Sequence, residues 1–272
     1  MKFLLVDGSS LISRAYFGFR EPPLERLGGL VYGMLGDAVS AMRATHCVVT
    51  VDMPGQTFRH TASPEYKASR EKKPRSVRTT DLIAAVRPVL EDHNVRVVGV
   101  DGFEGDDCIA TLTSRLEGRA QVAILSGDKD MHALVSEHVT VYTFSGLKGA
   151  VGMAKYVPWT PQEVRSKYGI EPHQIPHWKA LAGEKGDDIA GVPNMGRKRA
   201  QDVIVRFGTV AAALAAAQAP GVQGNLARLK GQESAAHLGL LLATLRSDAP
   251  IAPLLPSECA VANMRSEKVR RS

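Results

Sequence analysis

The residues of this sequence that could do chemistry are acids placed where buried strands are predicted to end. Asp7 ends the first apolar run and Asp52 follows the second. The remaining acids follow the third and fourth strands or lie on a later turn: Glu104, Asp106, Asp107, Asp128, Asp130, Glu184 and Asp187. In an open α/β sheet, ligand sites lie beyond the carboxyl ends of the strands. We therefore expect these carboxylates to converge on one crevice.

Carboxylates gathered this closely repel one another unless a cation lies among them. Oxygen ligands without His or Cys favour Mg²⁺ or Mn²⁺ over zinc. Two such ions about 3.5–4 Å apart cleave phosphodiesters, because one activates water and the other stabilises the leaving oxygen. A single Asp after a strand is more often a helix cap, and Asp106 and Asp128 could each be one. Capping alone explains four acidic strand ends poorly, so the pattern predicts a two-metal site.

The charge of the chain suits a nucleic-acid substrate. Since the formal net charge is +6, setting the nine acids aside leaves +15 on the rest of the molecule, which would attract a polyanion. Seven Lys or Arg residues, against two acids, lie between Arg59 and Arg78, with Phe58 and Tyr66 among them. This stretch predicts either a solvated loop or a segment that grips phosphates.

A second candidate for phosphate binding is the turn from Gly191 to Gly196, which leads into Arg197, Lys198 and Arg199. Exposed N–H groups and the positive end of the dipole at a helix N-terminus bind phosphate whatever the base. A purely structural turn between two helices is the alternative, because Gly and Pro are common in such turns.

Alternating strands and helices must position these residues. Apolar runs predict buried strands at 2–7, 46–51, 95–100, 122–125 and 139–144, and helical spacing predicts helices at 30–42, 81–92 and 106–116. This alternation indicates a mostly parallel sheet with helices on both faces. After Thr160 only helices are predicted, at 161–167, 172–181, 197–207, 210–217 and 235–245. We expect an α/β domain at 1–158, a helical module at 159–250 and an extension at 251–272 with a disordered tail.

Composition places the chain among globular proteins. It has 272 residues, of which 44% are hydrophobic, and no apolar run reaches the roughly 20 residues that span a bilayer. The N-terminus lacks the features of a secretory signal. The cysteines Cys47, Cys108 and Cys259 lie far apart, which is typical of free thiols in a reducing compartment. We expect a cytoplasmic monomer with no membrane partner.

Several short motifs occur together and in order. They are Leu5-Val6-Asp7-Gly8, Val51-Asp52, Phe58-Arg59-His60, Tyr66-Lys67-Ala68-Ser69-Arg70, Glu104-Gly105-Asp106-Asp107, Gly127-Asp128-Lys129-Asp130, and Gly183 through Val192 leading into Gly196. With these motifs the chain resembles the 5′ nuclease (flap endonuclease) superfamily, in particular the 5′-nuclease domain of bacterial DNA polymerase I and the stand-alone bacteriophage 5′-exonucleases. The resemblance covers roughly residues 2 to 248.

The resemblance implies a PIN-like sheet, a helical arch at about 58–80 above two metal ions, and a helix–three-turn–helix element that binds duplex DNA, often with K⁺. The tighter metal site would take Asp52, Glu104, Asp106, Asp107 and Asp128, with Asp7 beside it. Asp130, Glu184 and Asp187 would serve the second. Lys67 and Arg70 would be catalytic residues that steady the scissile phosphate. The implied DNA contacts are Arg14, Arg59, Tyr66, Gly191, Gly196, Lys198 and Arg199. Glu184 departs from the pattern, because the family usually has Asp there.

These features predict a structure-selective 5′ nuclease, both 5′-3′ exonuclease and flap endonuclease, that acts on DNA with 5′ ends or flaps. It would act alone or recruit a separate DNA polymerase. One alternative is a ribonuclease of the PIN type, although those domains are typically shorter and lack the helical hairpin module. The other is a DNA-structure-binding protein that has lost its metals, which Glu184 keeps open.

Overall fold

The computed structural model describes residues 1–71, 77–146 and 152–261. Part of the predicted arch, residues 72–76, falls outside these ranges, and so do three of its seven basic residues, Lys72, Lys73 and Arg75. The tail predicted at 264–272 also lies outside the described residues.

Six strands form one sheet in the order β3-β2-β1-β4-β5-β6. They are β1 (Lys2–Asp7), β2 (His46–Thr50), β3 (Arg96–Val98), β4 (Gln121–Leu125), β5 (Val139–Phe144) and β6 (Tyr156–Trp159). The first five pair in parallel, and β6 pairs antiparallel with β5. The α/β class and the mostly parallel sheet are confirmed. The sequence did not predict β6, a four-residue edge strand that contains Pro158, because Pro is tolerated only at sheet edges and weakens the strand pattern.

The strand order reverses around β1, which lies between β2 and β4. Leu5 of β1 is level with Val48 of β2 on one side and with Ile124 of β4 on the other. A doubly wound sheet opens a crevice at the carboxyl edge where its order reverses. Asp7, the last residue of β1, therefore lies at that crevice.

Helices cover both faces of the sheet and are the main elements of the chain after β6. Those of the first part are α1 (Gly8–Gly18), α2 (Leu24–Met42), α3 (Phe58–Ala62), α4 (Ala68–Glu71), α5 (Thr79–Asp92) and α6 (Gly105–Leu116). Those of the second part are α7 (Pro161–Tyr168), α8 (Ile175–Ala182), α9 (Gly196–Phe207), α10 (Val210–Ala217), α11 (Gly224–Ala227), α12 (Glu233–Ala243) and α13 (Pro256–Cys259). The eight predicted helices are all present.

The sequence did not predict α1, because Asp-Gly directly after an apolar run is typical of a turn. Asp7 is instead the N-cap of α1, and its Oδ1 accepts a hydrogen bond from the Ser10 N–H at 2.9 Å. Gly8 is required at this point. A Cβ there would lie 2.5 Å from the Thr50 carbonyl oxygen. The close approach of α1 to β2 fixes where the Asp7 carboxylate points.

Two hydrophobic cores lie on the two faces of the sheet. On one face, Leu4 and Val6 of β1 pack with α2 and α5, whose buried residues include Leu35 and Val86. On the other face, the core that contains Leu5 and Ile124 runs through α6 into the helical part of the chain without a break. The helices after Thr160 are therefore anchored to the sheet by a shared core.

The structure also shows the state of the three cysteines and the character of the helices. Cys47, Cys108 and Cys259 are free thiols, and all three are buried. Within the described residues, no single helix has the length and apolar character to cross a membrane; α9 and α10 qualify only as a pair bent by 90°.

The packing of α2 on α5 can be tested at adjacent glycines. A Cβ on Gly28 would lie 2.5 Å from Val89 Cγ2 and 2.8 Å from Val89 Cβ, whereas Gly29 has open space. We expect Gly28→Ala to destabilise the protein by about 1–3 kcal/mol through overpacking. Gly29→Ala is the matched control and should be neutral or stabilising by up to about 1 kcal/mol, because Ala has a higher helix propensity than Gly. Urea unfolding measures both. Equal effects of the two substitutions would contradict this packing.

Candidate active site

Two aspartates at the carboxyl edge of the sheet are held by short polar contacts. Asp7 Oδ2 accepts a hydrogen bond from Ser126 Oγ at 2.6 Å, in addition to the bond from Ser10. Asp52 accepts from Ser9 Oγ and from the Gly105 N–H, both at 2.8 Å. Their partners are neutral hydroxyl and amide groups, so the contacts orient the carboxylates without cancelling their charge.

Asp106 and Asp128 complete this cluster. Burial raises the pKa of Asp7 to about 6, and the Asp52 and Asp128 carboxylates add to the rise. The pKa of Asp106 is raised well above its usual range, first by burial and then by its neighbours Asp7, Asp128, Asp52 and Glu104. Among the described residues no donor contacts the Asp106 carboxylate. We call the four residues Asp7, Asp52, Asp106 and Asp128 the edge cluster. Four mutually repelling carboxylates with neutral partners are a strong attractor for a cation.

A second set of acids lines a cavity of about 290 Å³ beside the edge cluster. Its members are Asp130, Glu184 and Asp187, which we call the cavity set. Burial raises the pKa of Asp130 to about 6, although the Lys179 ammonium that pairs with Asp130 acts in the opposite direction. Asp187 accepts from Arg70 at 2.5 Å, and Glu184 lies 3.4 Å from Arg197. Each acid of this set therefore has a cationic partner.

Glu104 joins the edge cluster to the base of the predicted arch. Its Oε1 accepts from Lys67 Nζ at 2.6 Å, and its Oε2 accepts from the Tyr66 hydroxyl at 3.2 Å. Although burial alone would lower the pKa of Lys67, the Glu104 carboxylate raises it, so Lys67 stays charged. The arch base is also tied to the turn that carries Asp187, because the Lys67 N–H donates to the Asp187 carbonyl at 3.1 Å.

Arg59 is the buried centre of a larger network. Its side chain is 1% exposed and all five of its N–H groups have acceptors. Two bonds of 2.8 Å form a bidentate pair with Asp107, and a third reaches Glu104 at 3.2 Å. The other two go to the carbonyls of Leu242 and Thr244, at 3.0 and 2.8 Å. Arg59 thus joins α3, the start of α6 and the end of α12.

These contacts overturn three predicted roles. Arg59 and Tyr66 are buried, so neither is placed to contact DNA as predicted. Asp107 is fully buried; both of its oxygens bind Arg59, and they also accept from the N–H groups of Glu104 and Arg246. Asp107 therefore turns away from the edge cluster, and the geometry assigns it to the Arg59 network instead of a metal. Adjacent residues on a helix point in different directions, so Asp106 and Asp107 cannot both face the edge cluster. The sequence alone does not show which of the two does.

The predicted phosphate-binding turn contains two glycines with left-handed backbone, and at Gly191 there is also no room for a side chain. Gly191 has φ +71°, and a Cβ on it would lie 2.4 Å from the Gly183 nitrogen. The turn from Gly191 to Gly196 and the turn that carries Glu184 and Asp187 therefore pack against each other through their backbones. Gly196 has φ +62° with open space around it, at the start of α9.

The remaining predicted DNA contacts are exposed. Lys198 is 80% exposed and forms an ion pair of 3.3 Å with Asp202, one turn along α9. Arg199 donates to the Asn194 carbonyl at 2.8 Å within the turn. Arg14 lies on α1, with its guanidinium 4.0 Å from the centre of the Phe144 ring. All three cations are available to a phosphate backbone.

Sequence reasoning missed several residues of the site. Ser9 and Ser126 orient carboxylates, yet a serine after a strand carries no distinctive signal. Lys179 is buried at the cavity, and its position within the apolar pattern of α8 was the one available sign, because lysine is almost never fully buried without a partner. Tyr168, Trp178, Lys167 and Arg197 also line the cavity.

The residues of the site suit hard divalent cations. Among the residues that the structure describes, no three His, Cys, Asp or Glu side chains are already arranged as an ion site. The edge cluster nevertheless offers oxygen donors alone. The pKa values of Asp7 and Asp106 are raised first by burial and then by neighbouring carboxylates, and a bound cation would relieve the repulsion among these carboxylates. The cavity set also offers only oxygen, but its acids are paired with Lys179, Arg70 and Arg197.

Comparisons with known proteins agree with this geometry. A family model described as the N-terminal resolvase-like domain of 5′-3′ exonucleases matches residues 2–169. A second, described as the 5′-3′ exonuclease C-terminal SAM fold, matches residues 170–267. The chain belongs to the 5′-3′ exonuclease family. The predicted superfamily and the predicted fold class, an α/β part followed by a helical part, are thereby confirmed.

Relatives within the family include long and short proteins. DNA polymerase I of Bacillus caldotenax is 35% identical over 92% of this chain, which spans only 28% of that protein. A 5′-3′ exonuclease of Buchnera aphidicola is 28% identical over 91% of this chain and 87% of its own length. Among solved structures, a bacteriophage T5 flap endonuclease complexed with DNA and metal ions matches with a TM-score of 0.72 and 23% identity, covering 90% of this chain and 89% of that one. That structural likeness concerns the fold.

The role of Arg59 can be tested against that of an exposed arginine. We expect Arg59→Met to lower the free energy of unfolding by about 3–5 kcal/mol, because it leaves Asp107 buried without its partner. Arg199→Met should change stability by less than about 0.5 kcal/mol, since its side chain is exposed. Urea unfolding gives both values. Unchanged stability in Arg59→Met, combined with weaker DNA binding, would restore Arg59 as a DNA contact.

Proposed function

We propose that the protein hydrolyses DNA phosphodiesters near 5′ ends, both as a 5′-3′ exonuclease and as a structure-selective flap endonuclease. The observation that carries the proposal is the edge cluster, in which acids from separate strand ends converge, and burial together with neighbouring carboxylates raises the pKa of Asp7 and Asp106. A group of partly buried carboxylates without cationic partners is unfavourable on its own. It becomes useful when cations and a phosphate bind there.

Two divalent ions, Mg²⁺ or Mn²⁺, are the proposed cofactors. Asp52, Glu104, Asp106 and Asp128 would hold the first ion, with Asp7 beside them. Asp130, Glu184 and Asp187 would hold the second. When bound, such a pair supplies an activated water and a positive charge beside the leaving oxygen. Ser9, Ser126 and the Gly105 N–H then keep the carboxylates oriented.

The cations at the arch base would position the reacting phosphate. Lys67 pairs with Glu104, which lies between the edge cluster and the arch base, and Arg70 pairs with Asp187 of the cavity set. Both side chains are partly exposed, so they can exchange these carboxylates for a phosphate oxygen. In this proposal they bind and orient the phosphate, and the product carries a 5′-phosphate.

The helical part would bind the duplex. Gly191 and Gly196 shape the turn before α9, and Lys198 and Arg199 follow it on the exposed side. We propose that this helix–three-turn–helix element grips the phosphate backbone without reading bases, with K⁺ held at its carbonyls. Arg14 is a further proposed contact. The protein would act as a monomer, and a DNA polymerase would fill the gaps that it leaves.

Removal of one carboxylate of the edge cluster tests the reaction. We expect Asp128→Ala to lower cleavage of a 5′-flap duplex by about 100-fold or more, because even outer-shell partners of metal ligands are worth 10–100-fold. Binding of the same duplex should persist. Glu137→Ala is the control, since this exposed acid precedes β5 at the opposite edge of the sheet. Full cleavage by Asp128→Ala with Mg²⁺ present would reject the proposal.

A substrate comparison with the unmodified protein tests the alternative. Faster cleavage of single-stranded RNA than of flap DNA would favour a PIN-type ribonuclease.

The DNA-binding surface can be tested through salt dependence. If Lys198 contacts one phosphate, Lys198→Ala should weaken duplex binding irrespective of sequence and reduce the slope of log K against log salt by about 1. Arg119→Ala is the control, because Arg119 is exposed just before β4, at the edge away from the acids. Fluorescence anisotropy at several salt concentrations measures both. An unchanged slope in Lys198→Ala would remove this residue from the interface.

A further inference from the structure

Lys179 is a lysine in an unusual position. It lies on α8 between the core residue Ile175 and the buried Ala180 and Leu181, and its side chain is only 8% exposed. Its ammonium pairs with Asp130 and lies 4.0 Å from Glu184 Oε2. The helix that carries it is packed against α9 and α12, so the ammonium is held at the cavity by the core of the helical part.

The two groups of acids differ in what balances their charge. Within the described residues, Asp7, Asp52 and Asp128 accept hydrogen bonds only from hydroxyl and backbone N–H groups. The fourth member of the edge cluster, Asp106, accepts none from the part of the chain that the structure describes. The three members of the cavity set are each paired with a cation: Asp130 with Lys179, Asp187 with Arg70, and Glu184 with Arg197. An ion at the first site would relieve repulsion within the edge cluster and meet cations only at Glu104, which pairs with Lys67 and Arg59. An ion at the second site would find every acid of the cavity set already paired with a cation.

Among these three cations Lys179 is the least able to move away. Arg70 and Arg197 are 43% and 67% exposed and can turn into solvent. Lys179 is enclosed by its own helix and by the acids it pairs with. A fixed ammonium and a divalent ion repel each other strongly when they share one carboxylate in a partly buried site.

We propose that Lys179 is an internal counterion that competes with the second divalent ion for Asp130 and makes that ion bind more weakly than the first. The proposal rests on the proposed function, because it assumes that Asp130, Glu184 and Asp187 receive the second ion. It adds a residue of this chain that sets the affinity of one ion without being a ligand. The expected behaviour is metal binding in two separated steps.

The test is a Mn²⁺ titration of the full chain by isothermal calorimetry, with free Mn²⁺ checked by electron paramagnetic resonance. Lys179→Met keeps the length and packing of the side chain but removes its charge. We expect this substitution to lower the Kd of the weaker Mn²⁺ binding step by about tenfold or more, and to leave the Kd of the tighter step unchanged. Mn²⁺ should also raise the melting temperature of Lys179→Met more than that of the unmodified protein, because a ligand that binds the folded state more tightly stabilises it more at the same concentration.

Two further variants control for general charge and for folding. Lys129→Met removes a positive charge that lines the same cavity but has no ion pair among the described residues, so the weaker step should change by less than about twofold. Lys179→Arg keeps the charge and should keep the weak second step. Lys179→Arg replaces Lys179→Met in the test when circular dichroism shows that Lys179→Met does not fold. The proposal is then supported if Lys179→Arg binds the second Mn²⁺ ion as weakly as the unmodified chain does. It is overturned if Lys179→Arg binds that ion more tightly.

The outcomes separate this proposal from the proposed function. Two binding steps in the unmodified chain, with the weaker step unaltered in folded Lys179→Met, overturn the role of Lys179 and leave the nuclease proposal standing. Equal tightening by Lys129→Met would also overturn it, because general electrostatics would then suffice. If Mn²⁺ does not bind to the unmodified chain at all, the proposed function fails, and this inference fails with it.

Discussion

Repulsion among carboxylates at one edge of the sheet is the constraint on which the rest of this structure depends. Acids with raised pKa values, such as Asp7 and Asp106, would move apart if their backbone allowed it. The fold prevents this by fixing three of the four members of the edge cluster at the start of a helix. Asp7 caps α1, Asp106 lies in the first turn of α6, and Asp128 caps the short helix Lys129–Leu134. Capping and metal binding are therefore not alternatives here, because the geometry of a cap is what aims the carboxylate.

The convergence of the strand ends could be predicted from the sequence because it follows from topology. Parallel strands end at the same edge, so Asp7, Asp52 and Asp128 had to be neighbours once the strands were recognised. The buried strand pattern of β1, β2 and β4 was strong, and the helical part was recognisable from its spacing. The elements that orient the acids at this edge were harder to predict. Helix α1, which Asp7 caps, begins within a dipeptide, Asp7-Gly8, that usually indicates a turn.

Burial of charged residues could not be predicted in the same way. Arg59 lies in a basic stretch and was expected to contact DNA, but its partners include the Leu242 carbonyl, 183 residues away. The sequence gives no sign of so distant an acceptor. Asp107 was misassigned for the same reason, because its role depends on Arg59. The glycines of the 183–196 region were easier to interpret, since a Cβ at Gly191 would collide with backbone.

Continuity of the core explains how the two parts of the chain can work as one site. The cavity set comprises Asp130, on the sheet side, and Glu184 and Asp187, on the helical side. A small rotation of the helical part would separate them. The shared core and the Arg59 bonds to the end of α12 resist that rotation. Under the proposed function, DNA bound by the turn before α9 would thereby be held at a fixed distance from the acids.

The departure at position 184 fits the same electrostatic argument. Glu184 is one methylene longer than the Asp that usually occupies this position, and its carboxylate reaches both Arg197 at 3.4 Å and Lys179 at 4.0 Å. A longer side chain can meet cations at the rim of the cavity and still lie beside Asp130. The chain thus combines an edge cluster that lacks positive charge with a cavity set supplied with it. Because the two sets differ in built-in charge, the two ions of the proposed function would not have to bind together.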